Sequence, residues 1–220
     1  MDTEIKAIVF DLGRVLVDFD HRIAAEKIAK FSPNTTQQIY DLFFDSTLTR
    51  SFEEGKVSSD EFFCRVVRAL GIKISFIRFL SIWNRIFFLS RENKAVYALA
   101  KRLKIKYQIA LLSNISAPHF AYLKKNFPIF DVFHRIFASC EMGCMKPNPV
   151  IYRKVIFALG VKSEEIFYTD DRPELVETAR RLGIRGFVFK GLKQLKADLD
   201  YCGVKVDPLG LKVRAPSRGT

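Results

Sequence analysis

Three short apolar runs, each closed by polar residues, limit what this chain can fold into. Residues 5–10 (Ile5-Lys6-Ala7-Ile8-Val9-Phe10) lead into Asp11-Leu12-Gly13, residues 108–112 into Ser113-Asn114, and residues 166–169 into Asp170-Asp171. A nearly unbroken apolar run of this length suits a strand buried on both faces of a parallel sheet. From residue 92 onward strands and helices alternate. Helices are expected over 95–103, 119–126, 149–159 and 174–182, and strands over 108–112, 135–139, 166–169 and 186–190. This order predicts an α/β fold: a Rossmann-like parallel sheet with helices on both faces.

Residues 22–89 read differently. Ala24, Ala25, Ile28 and Ala29 recur at helical spacing, Thr35 or Thr36 is placed to cap a helix, and Gly55 sits in a turn. Ser58-Ser59-Asp60-Glu61 starts another helix that ends at Gly71. No strand is expected in this stretch. An all-helical block between the first and second strands is an insertion. The expected division is a core of residues 1–17 and 91–203, a helical cap of 18–90, and a flexible tail of 204–220 containing Pro208, Gly210, Pro216 and Gly219.

Several classes are disfavoured. The opening MDTEIKAIVF has no secretory pattern. The longest apolar region, residues 72–89, holds Lys73, Arg78 and Arg85, and a central charge costs a membrane span roughly 2.5–3.5 kcal/mol. Cys64, Cys140, Cys144 and Cys202 form no C-x-x-C pair, so a reduced, cytoplasmic protein is expected, without a zinc site. The net charge of +12 is spread along the chain. Solvated helix faces explain it best; a field that steers phosphorylated substrates comes second. Nucleic-acid binding comes third, since no recognition motif accompanies the charge.

In open parallel sheets, ligands bind beyond the carboxyl ends of the strands. Asp11, Ser113-Asn114, Asp170-Asp171 and Lys146, which precedes a helix, are therefore expected to converge. Each alone reads as a turn residue, a cap or a surface lysine. Their joint order is specific. Phe10-Asp11-Leu12-Gly13-Arg14-Val15-Leu16-Val17-Asp18, Leu111-Leu112-Ser113-Asn114, Lys146-Pro147-Asn148-Pro149 and Phe167-Tyr168-Thr169-Asp170-Asp171-Arg172-Pro173 resemble the four motifs of the haloacid dehalogenase-like hydrolases. Phe52-Glu53-Glu54-Gly55-Lys56-Val57 resembles a segment common in the family's small helical caps.

The resemblance implies Mg²⁺-dependent hydrolysis of a small phosphorylated metabolite through a phospho-aspartate on Asp11. It implies metal ligation by Asp11, the Gly13 carbonyl and Asp171, with Asp170 binding through water or sharing the charge. Ser113 would donate to a phosphoryl oxygen, and Lys146 would offset the charge on Asp11 and the phosphate. Asn114 and the amides of Leu12 and Gly13 would also meet the phosphate.

Three positions depart from the pattern. Most phosphatases of this family carry a second Asp where this chain has Gly13, and glycine transfers no proton. That assistance is typically worth about 10²–10⁴-fold. Good leaving groups, such as sugar 1-phosphates, are then the favoured substrates; Asp18, Asp20 and His21 read first as a turn and a helix start. Leu175 stands where relatives often have Asn, and Arg14 where a small residue or Asn is common. Two alternatives accompany the phosphatase reading: a 2-haloacid dehalogenase using the same Asp11, which the acidic pair disfavours, and a non-catalytic binding or regulatory protein on the same scaffold.

Overall fold

A computed structural model describes residues 3–206. Strand β1 (Ala7–Phe10) lies at the centre of a five-stranded parallel sheet. A short strand, β2 (Asp18–Phe19), follows, and then five helices: α1 (His21–Ala29), α2 (Thr36–Asp45), α3 (Thr47–Glu53), α4 (Ser59–Leu70) and α5 (Phe76–Asn84). The chain returns through β3 (Phe87–Phe88) and α6 (Arg91–Leu103), then β4 (Gln108–Ser113), α7 (Ala117–Asn126), β5 (Arg135–Ala138), the single turn α8 (Ser139–Met142) and α9 (Pro149–Leu159). It closes with β6 (Ile166–Asp170), α10 (Pro173–Arg181), β7 (Arg185–Val188) and α11 (Leu192–Tyr201).

The sheet order is β5-β4-β1-β6-β7. The chain runs outward from β1 to one edge and then to the other, which opens a crevice at the carboxyl end of β1. The period of two is visible in the core. Ile8, Phe10, Ile109, Leu111 and Phe167 face one layer, packed with Val96, Leu99, Leu123, Leu195 and Leu199 of α6, α7 and α11. Ala7, Val9, Ala110, Leu112 and Tyr168 face the other, with Ile151, Val155, Val176 and Ala179 of α9 and α10. Helix α11 escaped the periodicity reading.

Helices α1–α5 have their own apolar cluster, centred on Phe43, Phe62, Phe79 and Trp83. Side-chain caps start them: Thr35 with Gln38 forms a capping box, Ser58 accepts from the Glu61 amide and Ser75 from the Arg78 amide. Their aromatic side chains pack edge-on or stacked, as in the 4.1 Å pair of Phe52 and Phe62. The expectation of no strand here fails at one place: Phe87–Phe88 pairs antiparallel with Asp18–Phe19, so the helical block is entered and left through a two-stranded ribbon. Trp83 joins this block to the sheet unit by stacking on His119 of α7, whose Nε2 lies 3.0 Å from the Trp83 carbonyl.

Among the described residues no helix is long and apolar enough to cross a membrane. Near the end of the chain, Val204 is still buried and the Lys205 amide donates to the Tyr107 hydroxyl. Residues 207–220, the rest of the expected tail, lie outside the described residues.

Candidate active site

Lys146 organises the crevice. It is 2% exposed, and its Nζ lies 2.7 Å from Asp11 Oδ1, 2.6 Å from Asp170 Oδ2 and 3.1 Å from the Leu112 carbonyl. Burial works against its charge, but the two carboxylates outweigh that and hold the ammonium above the ordinary lysine value. Asn114 sets the backbone that carries it: its amide donates to the Lys146 carbonyl and its oxygen accepts from the Lys146 amide, both at 2.8 Å. The Lys146-Pro147 peptide bond is cis. Asn148 then caps α9, with Pro149 in its first turn.

Asp170 is fully buried at the end of β6 and saturated with donors. Besides Lys146 it accepts from the Tyr168 hydroxyl and, at 3.0 Å, from the Arg172 amide. Sequence reasoning missed Tyr168, a residue two positions earlier on the same strand face. Leu175 offers no side-chain hydrogen bond, but its carbonyl accepts from the Tyr152 hydroxyl, which anchors the first turn of α10 to α9.

Asp11, Asp170 and Asp171 bring one carboxylate oxygen each within 4.8 Å of one another. Burial pushes Asp11 up to about 7, Lys146 opposes that, and Asp170 adds repulsion. Asp171 is pushed up to about 6 by burial and by Asp170. Three acids against one lysine leave the cluster short of positive charge. Hard oxygen donors with that deficit suit a small divalent cation such as Mg²⁺.

A pocket of about 60 Å³ opens beside Asp11. It is lined by Leu12, Gly13, Ser113 and Asn114 from the strand ends, by Phe19, His21 and Phe87 around the ribbon, and by Glu53 and His119. About 10–15 Å³ suffices to hold one water, so the pocket has room for several. Of the expected residues, Asp11, Lys146 and Asp170 are in direct contact, while Ser113, Asn114, Leu12 and Gly13 face this pocket. Phe87 lines it too. Arg14 adopts a left-handed φ of 60° and lays its guanidinium 4.6 Å from the Phe19 ring centre, on the exposed side.

Burial pushes His119 down to about 3 and His21 to about 4, so both rings are neutral near pH 7. Asp20 caps α1 by accepting from the Arg22 amide at 2.8 Å.

Residues 87–183 match the haloacid dehalogenase-like hydrolase family. The chain is 28% identical over 191 residues to a D-ribitol-5-phosphate phosphatase of Bacteroides thetaiotaomicron, covering 83% of this chain and 91% of that protein. It is 26% identical over 189 residues to a sesquiterpene phosphatase of Aspergillus oryzae, covering 84% and 90%. A HAD family enzyme of Bacteroides thetaiotaomicron, crystallised with magnesium and inorganic phosphate, superposes with a TM-score of 0.75 at 29% identity, over 84% of this chain and 94% of that one. With the parallel sheet, the three polar strand ends and the lysine-bridged acids in place, this chain is similar in sequence and fold to the phosphatases among the haloacid dehalogenase-like hydrolases.

Proposed function

We propose that this chain hydrolyses a small phosphate monoester, using Asp11 as the nucleophile. The observation that carries the reading is the Lys146 bridge. One buried cation holds Asp11 and Asp170 in fixed positions and favours the ionised form of Asp11 against its burial, and an attacking carboxylate must be ionised and aimed. Asp11, Asp171 and the Gly13 carbonyl would hold Mg²⁺, with Asp170 supporting the charge from behind. When bound, the metal neutralises negative charge on the phosphoryl group and on the acids.

The chain's own residues do the rest. The Asp11 carboxylate attacks phosphorus in line with the leaving oxygen. Ser113, Asn114 and the amides of Leu12 and Gly13 orient the phosphoryl oxygens, and Lys146 offsets the charge that gathers on them. Residues 18–90 act as a cap over this chemistry, and Phe19, His21 and Phe87 supply walls that exclude water. The first motif itself carries no proton donor, so esters with good leaving groups, such as sugar 1-phosphates, are the ones it can cleave unaided. The relative that acts on D-ribitol 5-phosphate widens the expected range to alkyl esters of small polyols.

The test is phosphate release from p-nitrophenyl phosphate, acetyl phosphate, glucose 1-phosphate and D-ribitol 5-phosphate, with Mg²⁺ or EDTA, beside halide release from a 2-haloacid. The reading expects phosphate release only with Mg²⁺ and no halide. Metal-independent halide release without phosphatase turnover would replace it with the dehalogenase.

A further inference from the structure

The missing proton donor has a physical reason. A Cβ on residue 13 would lie 2.8 Å from Phe19 Cε1, so the ring fills the space an acid there would need. Phe19 is held in place: its ring meets His21 at 5.3 Å and Phe87 at 6.3 Å, and carries the Arg14 guanidinium on its face. The first loop is built around a glycine.

Across the same pocket stands a carboxylate that the mechanism above leaves unused. Glu53, the last residue of α3, lines the cavity together with Gly13, Ser113 and Asn114. Its carboxylate has no hydrogen-bonding side chain beside it among the described residues, and the charges it faces are those of Arg172 and Lys146. Burial raises it to about 7, with those two cations pulling back, so the protonated and ionised forms are both within reach near neutral pH.

Its position is fixed by the core rather than by the helices alone. The Ser139 hydroxyl donates to the Glu53 carbonyl at 2.6 Å and accepts from the Ile115 amide at 2.9 Å. Two residues on, Gly55 takes a φ of +70°, and a Cβ there would lie 2.3 Å from the Cys140 carbonyl oxygen. The backbone of the 53–55 turn is thus seated directly on α8.

We propose that Glu53 is a catalytic residue, the general acid and base that replaces the side chain absent at Gly13. The inference rests on the phosphatase reading above. In the first step an Asp11 oxygen bonds to phosphorus, the bond to the leaving oxygen breaks, and the proton on Glu53 passes to that oxygen. This yields the free alcohol, phospho-Asp11 and ionised Glu53. In the second step Glu53 takes a proton from water, the water oxygen attacks phosphorus, and the bond to Asp11 breaks. Inorganic phosphate leaves, and both carboxyl groups return to their starting forms.

Glu53→Gln keeps the shape and removes the transferable proton. We would compare kcat/KM of wild type and E53Q on D-ribitol 5-phosphate, whose alkoxide needs protonation, and on p-nitrophenyl phosphate, whose phenolate does not. kcat/KM reports formation of phospho-Asp11 alone, so slow hydrolysis of that intermediate does not enter. The expected loss is about 10²–10⁴-fold on the alkyl ester and under about tenfold on the aryl ester. The aryl rate also shows that the variant is folded. Equal losses on both esters, or no loss on either, with wild type active, would overturn the inference and leave the phosphatase reading standing. Wild type without Mg²⁺-dependent turnover on either ester would overturn both.

Discussion

Replacing Lys146 with Met tests whether the lysine bridge holds the site together. Methionine fills nearly the same buried volume, so the change isolates the charge. It leaves Asp11 and Asp170 facing each other without the cation now 2.7 and 2.6 Å away. Removing one partner of a buried ion pair costs about 3–5 kcal/mol, because the other is left uncompensated. For a chain of this size each kcal/mol is worth roughly 2–4 °C, so K146M should melt roughly 6–20 °C below wild type. Neutralising the second acid should return part of that loss: K146M/D170N should be more stable than the two single effects sum to, by about 1–3 kcal/mol. Urea unfolding followed by circular dichroism in EDTA measures both. K146M within about 1 kcal/mol of wild type, or strict additivity with D170N, would refute the argument that the lysine is the counter-charge.

Two further outcomes follow from the same geometry. Gly13→Ala drives a methyl group against Phe19 and should cost about 1–3 kcal/mol by overpacking, with Phe19→Leu in the same chain recovering most of it; urea midpoints decide. His119 titrates near 3 in the folded protein and near 6.5 when unfolded, so the unfolded chain takes up the proton first. Its share of stability is complete above pH 6.5 and declines as pH falls toward 3, by up to about 1.4 kcal/mol per pH unit. His119→Phe should therefore show a shallower loss of urea resistance between pH 7 and 5 than wild type; an unchanged slope would assign the acid sensitivity elsewhere.

How far the sequence could be read depended on whether a signal was local. The strands announced themselves because a buried parallel strand must be apolar on both faces, and Ala7–Phe10 and Gln108–Ser113 lie where those runs end. The polar residues at their ends, Asp11 and Ser113, were legible for the same reason. Lys146 was legible only through its motif, since nothing local distinguishes a buried lysine from the many exposed ones. Three features were out of reach. The pairing of Phe87–Phe88 with Asp18–Phe19 joins strands of two residues each, too short for a periodic pattern. The contact between Phe19 and the space above Gly13 depends on how that ribbon folds back. Glu53 stood in a segment recognised as part of the cap, but its orientation is set from a distance by Ser139 and Cys140. Arg14, one of the three departures from the family pattern, is exposed and stacks on Phe19.

The central claim, a covalent intermediate on Asp11, is tested most directly by trapping it. Protein turning over acetyl phosphate with Mg²⁺ would be quenched in acid, digested, and mapped by mass spectrometry beside Asp11→Asn. Wild type is expected to release phosphate and to carry one phosphoryl group on the peptide bearing Asp11, and D11N to do neither. Sustained turnover by D11N, or a phosphoryl group on any other residue, would contradict it.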